Sequence, residues 1–386
     1  QRRQVGGDKM AQEDEQQRSR RGTSEVMPVD TLPQKVQLEC SKFLARLRRH
    51  QVPHALDVAR KTLEIMRLVV ATSGAKDLGG LIALIKQAGQ ILVSAQPHEL
   101  VIGNMVRRVL YIVREETREQ ALAPEGGAAQ SSSATSGGRS LHRILEAPPD
   151  APDYSELPAK NLKAPILEVL NEVIEELSSV SAAIAEQAIE HIHSNEVILT
   201  HGRDPAVEAF LKAAHKKRTF EVIVCETSPA NEGQQTAAAL AEAGISTTLI
   251  PDAAVFAMMA RVNKVIVGCH AVMANGGLIA TAGSHMVALA AQQHAVPLVV
   301  CAGLYKLTPT FPSGAEQFNV LRSPMPMLRY EEGLQGVHVP NPARDYVPPE
   351  LVSLFITNIG GNHASYIYRL LSEYYHQEDY HIFNTE

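Results

Sequence analysis

The chain has 386 residues, with 36 lysines and arginines against 42 aspartates and glutamates, for a formal charge of -6. That acidity excludes wrapping a nucleic acid through phosphate neutralisation, and no apolar run approaches the roughly 20 residues that span a bilayer. At roughly 150 residues per domain, the length allows two domains plus disordered sequence.

Residues 1–30 are rich in Gln, Arg, Glu and Gly, polar instead of signal-like, and their lack of apolar periodicity predicts a disordered tail. From 31 to 193 the period is helical. Val36, Cys40, Phe43 and Leu47 share one helix face, and Leu63, Met66 and Val70 share a second, which stops near Thr72-Ser73-Gly74. Asp77 caps a third helix, and after Pro97 a fourth repeats Val101, Met105, Val109 and Ile112, with basic residues on a solvated outer face. Residues 122–153, dominated by Gly, Ser, Ala and Pro, read as a flexible insertion in which only Ser140 to Leu145 (SLHRIL) predicts a short helix. A long connecting helix over 161–193 sets Ile166, Leu170, Val173, Leu177, Val180 and Ile184 four and three apart. That heptad stripe suits a partner helix in the same chain or another.

After Asn195 the period changes to short apolar runs separated by helical segments: Val197-Ile198-Leu199, Val222-Ile223-Val224, Thr247-Thr248-Leu249, Val265-Ile266-Val267 and Leu298-Val299-Val300. Strands buried on both faces have this pattern, so the class is α/β: an N-terminal helical domain, then a Rossmann-like doubly wound parallel sheet over 194–386. A last helix is expected around Ala364 to Tyr375.

Small molecules bind beyond the carboxyl ends of such strands, which places Cys269, His270 and Asn275 at a ligand-sized mouth. Neither G-x-G-x-x-G nor G-x-x-x-x-G-K-[ST] occurs, and no cofactor is expected. Thr200-His201-Gly202, followed by Asp204-Pro205, could hold a phosphate on a helix N-terminus or be a plain strand-to-helix turn. Glu226 and Asp252 follow the second and third strands, where a general base or sugar-hydroxyl ligand would stand, although Asp252 reads better as an N-cap. His191 and His193, two residues apart, point to different sides, so no metal site is expected. His270 is titratable but lacks an activated nucleophile, because strand alternation turns Cys269 away from it. The four cysteines show no C-x-x-C pair and read as small buried hydrophobes in a reducing cytosol.

The segments IAEQAIEHIHSNEVILT from Ile184, VEAFLKAA from Val207, RVNKVIVGCHAVMANGGLIATAGSHMVALAA from Arg261 and DYVPPELVSLFITNIGGNHASYIYRL from Asp345 carry a resemblance over almost everything from Thr31 to Tyr375. The chain resembles the regulatory subunits of eukaryotic translation initiation factor 2B, the guanine nucleotide exchange factor for initiation factor 2. The last segment and the SLHRIL insertion favour the beta branch over alpha and delta. The resemblance implies a cytosolic, non-catalytic subunit that contacts a delta subunit directly and assembles with alpha, gamma and epsilon subunits, the last two carrying exchange. It also implies recognition of the alpha subunit of initiation factor 2, including its phosphorylated form, with no membrane or nucleic acid as partner.

The same segments resemble sugar-phosphate isomerases acting on methylthioribose 1-phosphate and ribose 1,5-bisphosphate. Matched by motif, Gly202 stands where those enzymes carry a catalytic cysteine and His270 where they carry an aspartate. Gly277 replaces a further acid and Thr281 a lysine, while Glu226, Asn275-Gly276 and Gly283-Ser284 keep the framework. The implied pocket of Gly202, Glu226, Asp252, His270, Asn275, Gly277 and Thr281 is therefore degenerate, without a proton donor and acceptor for ring opening. Subunit contacts are expected on the heptad stripe, on SLFITNIGG, and at Asn358, Asn362, Tyr366, Tyr368 and Arg369.

Overall fold

A computed structural model describes residues 32–122 and 159–383, apart from 50, 53, 313, 315–318, 330, 332, 334 and 335. The expected tail over 1–30 and the insertion beyond 122, with its SLHRIL segment, lie outside those residues. The first four helices follow the apolar periods: α1 (Gln34–Arg48), α2 (Ala55–Thr72), α3 (Leu78–Ala95) and α4 (Leu100–Leu122). Asp77 caps α3, its carboxylate accepting from the Gly80 N–H at 3.1 Å. Contrary to the expectation from run length, α3 is long and apolar enough to cross a membrane by length and composition. Its Leu78, Leu81, Ile85 and Leu92 are fully buried in the helical core, which accounts for its hydropathy by packing.

The long helix α5 (Ala159–Glu186) ends before 193; the chain turns at Gln187 and resumes as the one-turn α6 (Ala188–His191). Every residue of the heptad stripe is buried, from Ile166 at 0% exposure to Val173 at 6%. The stripe packs on α2, on α4 and on α7 (Pro205–His215). It is therefore not a subunit contact; the helices it needed lie in its own chain.

Six parallel strands follow, β1 (Val197–Thr200), β2 (Glu221–Cys225), β3 (Ser246–Ile250), β4 (Lys264–Gly268), β7 (Leu298–Cys301) and β9 (Leu354–Thr357), with β10 (Gly360–Asn362) antiparallel at one edge. Their order is β10-β9-β7-β4-β1-β2-β3, so the chain reverses direction between β1 and β4. That switch point is where an open α/β sheet parts to admit a ligand. β3 departs from the expected two-sided burial: as an edge strand it leaves Ser246, Thr248 and Leu249 exposed. A second, antiparallel sheet of β5 (Ala271–Val272), β6 (Leu278–Thr281) and β8 (Arg344–Val347) was not expected. A two-residue strand is too short to show a period.

One buried cluster runs from Val36 and Leu63 through Leu170 to Ile198, Val222, Leu240 of α8 (Glu232–Glu242) and Ile356, so the helical region and one sheet face share a core. The other face packs beneath α9 (Val255–Met259), α10 (Ser284–Gln293) and α11 (Ile367–Tyr374), around Leu199, Ile223, Val267 and Phe355. Removing such a side chain from water contributes roughly 1.5–3 kcal/mol.

The basic residues of α4 are not a solvated face. Arg107 and Arg114 are 3% and 6% exposed and hold the C-terminal segment beyond α11. Arg114 Nε and Nη2 donate to the two oxygens of Asp379 at 3.0 and 3.1 Å, while Arg107 donates to the carbonyls of Asp379 and Tyr380 at 3.1 and 3.2 Å. Asp379 is itself fully buried. The fork of a guanidinium matches a carboxylate in two parallel bonds, which makes burial of both charges tolerable.

Candidate functional site at the strand ends

At the switch point, Gly202 leaves β1 with φ +76°, a conformation that L side chains rarely adopt. A Cβ there would stand 3.0 Å from Thr281 Oγ1 at the end of β6, so the structure brings these two residues together. At Gly277 a Cβ would stand 2.6 Å from the Tyr346 hydroxyl. That hydroxyl accepts from Asn275 Nδ2 at 2.8 Å, and Asn275 Oδ1 accepts from the Gly277 N–H at 2.9 Å. Tyr346 thus occupies the space of any side chain at 277.

The helix N-termini around the mouth are taken by the chain's own carboxylates. Asp204 caps α7 through the Ala206 N–H at 2.9 Å, and its second oxygen meets Lys306 Nζ at 2.7 Å. Burial alone would lower the Lys306 pKa; the Asp204 carboxylate overrides it, and the net direction is up. At α10, Asp345 Oδ2 accepts from the N–H groups of Gly283 and His285 at 2.7 and 3.2 Å. A phosphate after β1 would compete with Asp204 for the positive end of the helix.

Asp252 is not an N-cap. It opens a 3-10 turn over Asp252–Ala254, preceded by Pro251, and its oxygens accept from the N–H groups of Thr227 and Ser228 at 3.0 and 2.6 Å. Thr227 has φ +60°, which is unfavourable for a β-branched residue. The Asp252 carboxylate and the Gly202 N–H, which donates to Thr227 Oγ1 at 3.0 Å, hold it there. Glu226 is half-buried, its N–H on the Ile250 carbonyl and its own carbonyl accepting from the Gly233 N–H.

His270 faces the seam with the helical region, with Nε2 3.4 Å from Glu99 Oε2. Glu99 is already engaged by Arg344 Nη2 at 2.7 Å, so burial, followed by Arg344 and Lys306, holds the imidazole well below its usual 6.5. Cys269 is buried, and that burial pushes its thiol up to about 12. All four cysteines are free and buried, as their pattern predicted. Asp204, Lys306, Asp345 and Tyr346 were not singled out for their contacts. Asp204 alone carried a local signal, as an acid before proline at a helix start.

Of the expected subunit contacts, Asn358 bridges within the chain, accepting from the Leu304 N–H and donating to Glu176, each at 3.1 Å. Asn362 donates to the Gly360 carbonyl at 3.1 Å. Tyr366 packs on the second core with Arg369 over its ring at 5.4 Å, and Arg369 donates to Glu373 at 3.0 Å. Tyr368 is 62% exposed. Within SLFITNIGG, Phe355 and Ile356 are fully buried and Ile359 is exposed.

Residues 51–364 match the model of the initiation factor 2 subunit family. The chain belongs to this family. The translation initiation factor eIF2B subunit beta of Dictyostelium discoideum is 46% identical over 369 residues, 87% of this chain and 95% of that protein. A ribose 1,5-bisphosphate isomerase of Pyrococcus furiosus is 26% identical over 326 residues, 83% of this chain and 90% of that one. A chain of the tetrameric eIF2B-beta2-delta2 complex of C. thermophilum superposes with a TM-score of 0.67 at 27% identity, over 88% of this chain and 95% of that one. These relatives bear out the initiation factor 2 subunit family and the helical-plus-parallel-sheet class that the motifs implied.

Proposed function

We propose that the chain is a non-catalytic regulatory subunit of the initiation factor 2B complex. It packs directly against a delta-type subunit and, with an alpha subunit, forms the cytosolic core that receives the alpha subunit of initiation factor 2. Gamma and epsilon subunits supply the exchange activity. Phosphorylation of that alpha subunit adds about 1.5 to 2 negative charges, which the core discriminates to control translation initiation under stress. The delta contact rests on the beta2-delta2 relative.

The observation that carries the non-catalytic reading is the filled mouth. Gly202 offers no nucleophile and abuts Thr281, Tyr346 blocks position 277, and Asp204 and Asp345 take the helix ends that a sugar phosphate would use. His270 is held neutral and faces Glu99, so it supplies no carboxylate to a substrate. The rival reading is a surviving sugar-phosphate isomerase, or a sensor that binds such a ligand without reacting. The test is to co-express the chain with delta-, alpha-, gamma- and epsilon-type partners, offer methylthioribose 1-phosphate and ribose 1,5-bisphosphate, and measure guanine nucleotide exchange with and without this chain. We expect no sugar turnover, no calorimetric heat with either sugar, and loss of phosphorylation-sensitive exchange when the chain is omitted. Turnover abolished by His270→Ala would overturn the reading.

A further inference from the structure

We infer that the carboxyl ends of β1, β2 and β3 form a divalent-cation site of the zinc class, with His201 Nδ1, Cys225 Sγ and an Asp252 oxygen as ligands. The register of the sheet builds it. The three strands are consecutive neighbours, with Leu199 level with Ile223 and Cys225 level with Ile250. Side chains alternate along strands, so His201, Cys225 and Asp252 continue the row of Leu199, Ile223 and Ile250, which lie in one core cluster. The three ligand atoms lie within 4.8 Å of one another. Zinc bonds of about 2.0–2.3 Å would set tetrahedral donors about 3.5 Å apart, which side-chain adjustment supplies.

The imidazole gives an independent sign of a ligand. The His201 side chain is 1% exposed, and its Nε2 lies 2.9 Å from the Ala282 carbonyl. A carbonyl only accepts, so Nε2 carries the proton and Nδ1 presents a lone pair. Nδ1 has no hydrogen-bond partner, and the nearby Asp252 Oδ1 at 3.8 Å is both too distant and itself an acceptor. A buried acceptor without a donor is costly; a cation between His201, Cys225 and Asp252 removes that cost. An imidazole that donates its far N–H to a backbone carbonyl is oriented as metal-bound histidines are, and the Thr227 and Ser228 N–H groups orient Asp252 in the same way.

Charge and hardness agree with this assignment. Burial and the Asp252 carboxylate push the Cys225 thiol up to about 12, but a coordinating cation deprotonates a thiol outright. Binding exchanges one S–H bond for one metal–sulfur bond and releases one proton. The thiolate and carboxylate then balance a 2+ ion beside a neutral imidazole. Thiolate with imidazole selects zinc over magnesium or calcium, and three protein ligands leave a fourth position for water. The positions 201, 225 and 252 form no linear motif, which is why the chain read as sequence suggested no metal site.

The test uses the full chain co-expressed with its delta-type partner. Zinc content is measured on the protein as purified, and the protein, made metal-free by dialysis against a chelator, is then titrated with Co²⁺. We expect one equivalent per chain and a thiolate-to-cobalt charge-transfer band with tetrahedral visible bands. Cys225→Ser should abolish the band, and His201→Gln and Asp252→Asn should each weaken binding more than tenfold. Cys301→Ser, buried elsewhere in the sheet, should leave it intact. Circular dichroism establishes which variants fold. A folded wild-type chain that gives no cobalt band, or metal retained equally by folded Cys225→Ser, overturns the site as adventitious binding.

Discussion

The C-terminal latch and the strand-end cluster both bury polar chemistry, and they dispose of it in opposite ways. At the latch, Asp379 receives two Arg114 nitrogens, Lys86 Nζ lies 3.5 Å away, and Arg107 closes on neighbouring carbonyls. At the cluster, His201 keeps an unpartnered Nδ1 beside a thiol and a carboxylate. A satisfied network fixes structure, here the docking of the last segment on α4. A leftover lone pair in a buried site is chemistry that the fold holds for a ligand.

The sharpest way to break the comparison is Asp379→Ala. It removes the buried carboxylate from Arg114, which keeps the half-exposed Glu378 at 2.6 Å, and removing one partner of a buried pair costs about 3–5 kcal/mol. Urea denaturation should show a lower midpoint at unchanged slope; a loss under about 1 kcal/mol would mean that the latch is effectively solvated.

A smaller effect separates the two regions by pH. Burial depresses the His270 pKa below 6.5 in the folded chain, whereas the unfolded imidazole titrates near 6.5. The unfolded state then binds more protons below about pH 6.5, so stability falls as pH drops, by at most about 1.4 kcal/mol per unit for one proton. Denaturation midpoints at pH 7.5, 6.5 and 5.5 should show this slope in the wild type and a shallower one in His270→Gln. An unchanged slope would show that His270 takes up its proton as readily in the fold as in the unfolded chain.

The smallest expected change in stability is at the outer face of α11, ahead of the latch segment. Tyr368 is 62% exposed on α11, so Tyr368→Asp should move stability by no more than about 0.5 kcal/mol while weakening assembly with the delta-type subunit in sedimentation. Tyr366→Asp, at the second core and beneath Arg369, should instead destabilise the chain. Full assembly by folded Tyr368→Asp would remove this face from the interface.

The sequence by itself determined the helices α1 to α4 and five of the parallel strands, because apolar periodicity of 3.6 or a short continuous run reports burial directly. It also determined that Gly202 and Gly277 carry no reactive group. Tertiary structure alone decided where the charges go. Arg114 meets an aspartate 265 residues away, Lys306 meets Asp204 across 102 residues, and the heptad stripe closes on its own helices. The same holds for His201, Cys225 and Asp252, which share no spacing and meet only because three neighbouring strands end level. Long-range pairing of polar groups has no period, and the register of the folded sheet fixes it.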